Sequence, residues 1–211
     1  MGADEGCETA GAELLSSQNG GAGDILLLGA ALHAPVDPVC IDLVAEAQPD
    51  AILWITVTRS VDDKLRGWQQ HPEAELPDQI GMIDVGGQTH LGRSSESVLD
   101  GHSVQIETVS DPRDLTGLGI AVNTVLGKWV DTDTRPVVCF DSITPLLRYS
   151  DLRRLFQFLR VFSQHLAEHS GVVHYHLDPT AHDQETINTL LELIDTTVEV
   201  GPDGDIEFSH R

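Results

Sequence analysis

Between Arg135 and Thr144 four consecutive apolar residues, Val137 to Phe140, are bounded by Pro136 on one side and by Asp141-Ser142 on the other. A run of that length with such abrupt ends describes a strand buried on both faces, the kind found in the middle of a parallel sheet. Open α/β sheets bind their ligands outside the carboxyl ends of their strands, which is where this chain puts the carboxylate of Asp141. The same spacing also fits an acid that only caps the turn after the strand.

Other stretches repeat the pattern. Residues 25–29, 51–57, 81–85, 103–109 and 171–178 read as strands, the fourth with one face less buried because its apolar residues alternate. Between them lie helical periods. Asp37-Pro38 opens a helix with Val39, Cys40, Leu43, Val44 and Ala47 on one side, Asp at the cap and Pro at the first helical position. Ser60 opens a second, through Gln70. Ser110-Asp111-Pro112 starts a third, carrying Leu115, Leu118, Val122, Val125, Leu126 and Trp129. Two more cover residues 150–169 and 183–194. Residues 196–200 and 206–208 flank Gly201-Pro202-Asp203-Gly204 and read as a closing hairpin. Alternating strands and helices predict an α/β domain over residues 24–211: a mainly parallel β-sheet sandwiched by helices, with a C-terminal antiparallel hairpin. Residues 1–23, rich in Gly, Ala, Glu and Ser, read as a flexible N-terminal tail. The Gly/Ser/Thr-rich stretch 86–96 reads as an exposed loop, mobile or partner-binding.

The strand ending in Asp141-Ser142 resembles the Walker B segment of RecA-like ATPases, in particular the KaiC/RadA-like branch, where an apolar strand ends in Asp-Ser before a short loop and a long helix. The resemblance covers roughly residues 24–201 and implies a RecA-like fold, with Asp141 and Ser142 as the Walker B-like pair. It also implies a phosphate loop after the first strand. Such a loop needs Gly-x-x-x-x-Gly-Lys-Ser/Thr, because glycines let backbone amides wrap the phosphates, Lys neutralises them and the hydroxyl holds magnesium. Here Gly29-Ala30-Ala31-Leu32-His33-Ala34-Pro35-Val36 keeps only Gly29. Pro35 stands at the Lys position and has no amide donor, and nothing replaces the Lys charge. Asp37 brings a carboxylate to the helix N-terminus that a phosphate would use. In KaiC-like ATPases the second strand ends in glutamates that polarise the attacking water. Thr58 and Arg59 stand there instead, and an arginine stays protonated and cannot act as a base. Asp62 and Asp63 read as acids at a helix start.

Charge narrows the function classes. The chain has 34 acidic and 12 basic residues, a formal net charge of −22, and its only lysines are Lys64 and Lys128. That field repels nucleic acid and anionic membranes, so neither is an expected partner. Acids dispersed along the chain, with Arg far above Lys, resemble the proteins of extremely halophilic archaea. Arg153, Arg154 and Arg160 form the one basic cluster, either a solvated helix face or a contact for an acidic partner. Cys7, Cys40 and Cys139 lack metal spacing and read as free thiols. No run is long enough to span a membrane and no signal pattern opens the chain, so a cytoplasmic protein is expected. His174 and His176 share a strand face, with Asp178 and His182 close in sequence. They are the weak candidates for a metal, and none is expected.

The sequence therefore predicts a pseudo-ATPase: a RecA/KaiC-like regulatory or scaffold protein of a halophilic archaeon. No residue is assigned a catalytic role. Gly29 and Asp37 mark the degenerate phosphate loop, and no cofactor is expected, ATP with magnesium being disfavoured. The partner is an unidentified protein or a second copy. The alternatives are a weak nucleotide-dependent ATPase holding magnesium on Asp141, and a metal-dependent hydrolase centred on His174 and His176.

Overall fold

The computed structural model describes residues 23–30, 35–57, 59–71, 76–87, 94–99, 102–129, 134–169 and 171–211. Almost all of the tail, Cys7, Ala34, Thr58 and the middle of the 86–96 stretch lie outside them. In chain order the elements are β1 (Asp24–Leu28), α1 (Val36–Ala47), β2 (Ala51–Thr56), α2 (Val61–Gln69), β3 (Gln79–Val85), β4 (Ser94–Leu99), β5 (His102–Val109), α3 (Leu115–Leu126), β6 (Pro136–Asp141), α4 (Ile143–Tyr149), α5 (Leu152–Ala167), β7 (Val172–Leu177), α6 (Gln184–Leu191), β8 (Thr196–Val200) and β9 (Ile206–His210). The strands form one sheet in the order β4-β5-β3-β2-β6-β7-β1-β8-β9. Seven of them run parallel from β5 to β8, and an antiparallel strand closes each edge, β4 on β5 and β9 on β8. The expected α/β architecture and its C-terminal antiparallel pair are both present.

The central strands are buried along their whole length because helices cover both faces. β1, β2 and β6 carry no exposed residue. On one face, Ile25, Leu27, Ile52, Trp54, Ile80, Met82 and Val137 pack against Val39, Cys40, Leu43 and Val44 of α1 and Val61 and Trp68 of α2. The opposite face is larger: Leu26, Leu53, Ile55, Val138, Phe140 and Tyr175 meet α3, α4, α5 and α6. Alternation along each strand thus sends neighbouring residues into different cores. On β6, Phe140 faces α5 and stacks edge-on against Phe162, whereas Cys139 faces α1. Gly81 lets α3 approach β3, since a Cβ there would strike Val125 and press on Leu53 and Trp129.

Four expectations are corrected. Asp37 is not a cap: α1 begins at Val36 after Pro35, no side chain caps it, and Asp37 lies in the first turn, drawn to cations elsewhere. The third helix starts at Leu115 rather than near Asp111, because Asp114 caps it by accepting from the Gly117 N–H, while Asp111 is held in a turn by Arg113. Ile143–Tyr149 is a helix where a loop was expected. Ser142 starts it, and Asp151 begins the next by accepting from the Arg154 N–H. Finally, Ser94, Ser95 and Glu96 belong to edge strand β4 rather than to an exposed loop, paired with Glu107, Ile106 and Gln105 of β5.

Asp24 is a point of built-in instability. It opens β1 only 7% exposed, and its backbone N–H donates to Asp195 Oδ2 at 3.0 Å. Burial raises its carboxyl from 3.8 to about 6, against the pull of Ser163 and with help from the charge of Asp195. An acid whose folded value is raised holds its proton longer in the fold. Its penalty is therefore absent below about pH 4, grows as pH rises through about 6, and is complete above that. At ~1.4 kcal/mol per tenfold change in acidity, Asp24→Asn should stabilise the protein by about 1–3 kcal/mol at pH 7–8 and by little near pH 4. Denaturant melts at the two pH values check it, and an equal effect at both would refute it.

Candidate functional site

The carboxyl ends of β1, β2, β6 and β7 meet where the resemblance places a nucleotide, and a chain of charged and sulfur-bearing side chains fills the space. Asp141 ends β6 with its carboxylate turned toward α2, 7% exposed. The Lys64 ammonium lies 2.6 Å from Asp141 Oδ2 and 2.8 Å from Asp37 Oδ1. Arg59, just after β2, pairs with the other oxygen of Asp37 and lies 4.0 Å from Asp141 Oδ2. From the other side His176 of β7 sets Nδ1 at 3.6 Å from Asp141 Oδ1. Its Nε2 is 3.5 Å from Cys139 Sγ, which in turn is 3.1 Å from Cys40 Sγ of α1. His174 Nδ1 completes the line, 4.0 Å from Cys40 Sγ.

Lys64 arrives from α2, three residues after buried Val61 and four before buried Trp68, so helical spacing turns it inward. Burial alone would strip its proton, but the carboxylates, Asp141 foremost, hold the ammonium and push its pKa well up. Asp141 responds in the opposite sense. Burial would raise it, yet Lys64 and then His176 outweigh burial and keep it ionised far below the usual carboxylate range. The inner pair is polarised too. A hydrogen bond from Cys40 is the largest of the effects that lower Cys139 to about 5; burial opposes it, and His176 and Lys64 assist. The same bond, with burial, raises Cys40. Burial would lower His176, but the Cys139 thiolate and Asp141 raise it to about 9. His174, buried beside that charge, falls to about 3 and is neutral. Lys64 and Arg59 thus face Asp37 and Asp141, two cations against two anions, while Cys139 and His176 polarise one another on the inner side.

The sequence candidates divide accordingly. Asp141 and Asp37 come together, but through a lysine that sequence reasoning set no role for. Lys64 brings a buried cation from the neighbouring helix, but it is spent on neutralising Asp37 and Asp141. Ser142 is held by the fold, its Oγ donating to the His176 carbonyl at 2.9 Å and accepting from the Thr144 N–H. Gly29 donates its N–H to the Leu177 carbonyl at 3.2 Å, fixing the end of β1 against β7. Beside these residues a cavity of about 180 Å³ opens between Pro35, Asp37, Arg59, Asp141, Thr144 and Asp178. His174 and His176 do share a face, but they point at Cys40 and Cys139. Asp178 caps the short turn after β7 and accepts from the Thr180 N–H, and neither it nor His182 belongs to a donor cluster among the described residues. Arg153, Arg154 and Arg160 are exposed on α5, as expected. No helix among the described residues is long and apolar enough to cross a membrane.

No curated protein is matched by this sequence. The fold is similar to that of PH0250 from Pyrococcus horikoshii OT3, with a TM-score of 0.59 and 11% identity over 93% of this chain and 90% of that one. At that identity the likeness concerns the fold alone. Residues 22–200 match the profile of DUF7504, a family of unknown function, and the chain belongs to that family.

Proposed function

We propose that this protein is a RecA/KaiC-like module without ATP chemistry, serving as a regulatory or scaffold protein in a cell with high internal salt. The observation that carries the reading is the Lys64 ammonium, which sits between Asp37 and Asp141 at 2.8 and 2.6 Å. A carboxylate that would hold magnesium is already neutralised by a built-in cation, and the head of α1 offers a phosphate an acid and a proline. Each charge-assisted contact of a phosphate loop is worth about 1.5–3 kcal/mol, so three missing contacts weaken binding by roughly three to six powers of ten. The cavity of about 180 Å³ beside Asp141 also falls short of the ~300–1,000 Å³ usual for small-molecule sites. Arg59, the first described residue beyond Val57 after β2, stays protonated and cannot act as a base to activate water.

A scaffold needs a surface. The groove between α3 and α5, about 730 Å³ and floored by Leu115, Val122, Phe158 and Phe162, is flanked by exposed Val161 and by Arg154. Arg154 and Glu168 give it one charge of each sign, and its apolar floor suits a protein partner, a second copy of this chain included. The enzymatic half of the reading is tested by phosphate release from MgATP in molar KCl. The wild type should release phosphate no faster than Asp141→Ala. Turnover that disappears in Asp141→Ala would make the protein an ATPase.

A further inference from the structure

Cys40, Cys139 and His176 bring three soft donors together inside the α1 face of the sheet, a cluster whose ligand atoms all lie within 4.8 Å of one another. We propose that they bind a zinc ion in a closed structural site, with His174 as the fourth ligand. Lys64 lines the same small cavity as Cys40 and Cys139, but its ammonium is taken up by Asp141 and Asp37 and it offers the metal no ligand, so this inference does not depend on the reading of Lys64.

Zinc–sulfur bonds of about 2.3 Å and zinc–nitrogen bonds of about 2.0 Å, at tetrahedral angles, separate sulfur from nitrogen by ~3.5 Å and sulfur from sulfur by ~3.8 Å. Cys139 Sγ and His176 Nε2 already stand 3.5 Å apart. Cys40 Sγ is 3.1 Å from Cys139 Sγ, a gap that opens by roughly 0.7 Å on binding; His174 stands outside the 4.8 Å cluster, its Nδ1 4.0 Å from Cys40 Sγ, and its ring swings in to complete the tetrahedron. Cys40 comes from α1, Cys139 from β6 and both histidines from β7, so the site would clamp a helix to two adjacent strands.

Charge and surroundings agree. Two thiolates and two neutral imidazoles around a divalent cation make a neutral cluster, which suits ligands no more than 4% exposed. Behind His176, Asp141 Oδ1 lies 3.6 Å from Nδ1, the ring nitrogen that does not face the sulfur. A carboxylate in that place fixes the tautomer of a zinc-bound histidine and turns its free nitrogen to the metal. A dithiol meant only for disulfide exchange gives no reason for a second histidine at the sulfurs. The pairing of soft sulfur with imidazole selects zinc over magnesium or calcium.

The test uses the full chain, purified under reducing conditions in molar KCl. Elemental analysis should find about one zinc per chain after dialysis. Cobalt(II) added to the metal-stripped protein should give the sulfur-to-metal charge-transfer band and the intense visible bands of tetrahedral thiolate-bound cobalt. Those bands should be lost in Cys40→Ser and Cys139→Ser and unchanged in Cys7→Ser, and Asp141→Asn should weaken zinc binding about 10–100-fold. The wild-type cobalt spectrum decides the matter even if the serine variants do not fold. Wild-type protein with neither zinc nor the cobalt bands overturns the proposal, and so does a Cys40–Cys139 disulfide in protein isolated without oxygen.

Discussion

Lys64→Met should cost the fold about 3–5 kcal/mol, because it leaves a buried carboxylate without its principal counter-charge. The Lys64 and Asp141 side chains are each only 9% exposed, so water cannot replace the lost ammonium. Arg59 continues to serve Asp37, but it stands 4.0 Å from Asp141 and is half exposed, which makes it a poor substitute. For a chain of this size the loss corresponds to a fall in Tm of about 6–20 °C. The pH dependence has a definite sign. The folded carboxyl of Asp141 lies below its ordinary value of 3.8, so the stability it contributes is present above that value and is lost as pH falls below it. In Lys64→Met burial is no longer outweighed and raises the Asp141 carboxyl, so the gap between wild type and variant should be widest near neutral pH and shrink steadily as pH falls. Removing both charges, as Lys64→Met with Asp141→Asn, should recover at least about 2 kcal/mol of the single variant's loss, since neutral partners need no compensation. Denaturant unfolding in molar KCl measures all three proteins. A single variant within about 1 kcal/mol of wild type would remove Lys64 from its central place.

The second large effect is expected from salt. A domain of this length has a radius of gyration of about 17 Å, whereas the Debye length is about 30 Å at 0.01 M salt, 10 Å at 0.1 M and 3 Å at 1 M. At low salt the surplus of 34 acids over 12 bases therefore repels itself across the whole molecule, and at molar salt each charge feels only its neighbours. The protein should lose its cooperative melt on dialysis to low salt and regain it in molar KCl. Circular dichroism melts across a KCl series test this, and a Tm independent of salt would contradict it. The buried cluster should behave differently, because ion pairs removed from water are screened far less. The penalty of Lys64→Met is accordingly expected to persist at molar KCl, where the surface charges have been quieted.

The sheet was legible because its signal is local. Runs such as 25–28, 52–55 and 137–140 are apolar on both faces, and only a strand covered on both sides uses such a run. Ser60 and Asp183 marked their helices correctly for an equally local reason, a side chain accepting from an N–H three residues on. The misplaced start of α3 and the missed α4 show the limit of the same signal: Asp111 and Asp114 are equally good caps on paper, and tertiary packing of Leu115 and Leu118 against the sheet selects the second. β4 did have a marker, the Asp100-Gly101 pair, which is a hairpin turn signal between two alternating stretches.

The site was half legible. Asp141 and Asp37 could be found because each stands at an element boundary with a recognisable pattern. Lys64 could not be found that way, since its partners lie 27 and 77 residues distant in sequence and no local pattern ties them. One clue was present: a lysine at helical spacing between Val61 and Trp68 has to face inward, and a buried lysine needs an acid. Cys40 and Cys139 are 99 residues apart, and Cys139 and His176 37, so cysteine spacing carries no trace of their contact. Only the register of β6 on β7, which sets Cys139 beside His174, with β7's two-residue alternation then bringing His176 round to the same face, assembles them.

Under the proposed function, Lys64 closes the cleft where a RecA-like protein would hold a nucleotide. Calorimetric titration of the wild-type protein with ATP in molar KCl, with and without magnesium, tests it most directly. No saturable heat is expected below about millimolar ATP in either condition, since three charge-assisted contacts of a phosphate loop are missing. Tight, magnesium-dependent binding that vanishes in Asp141→Ala would contradict it.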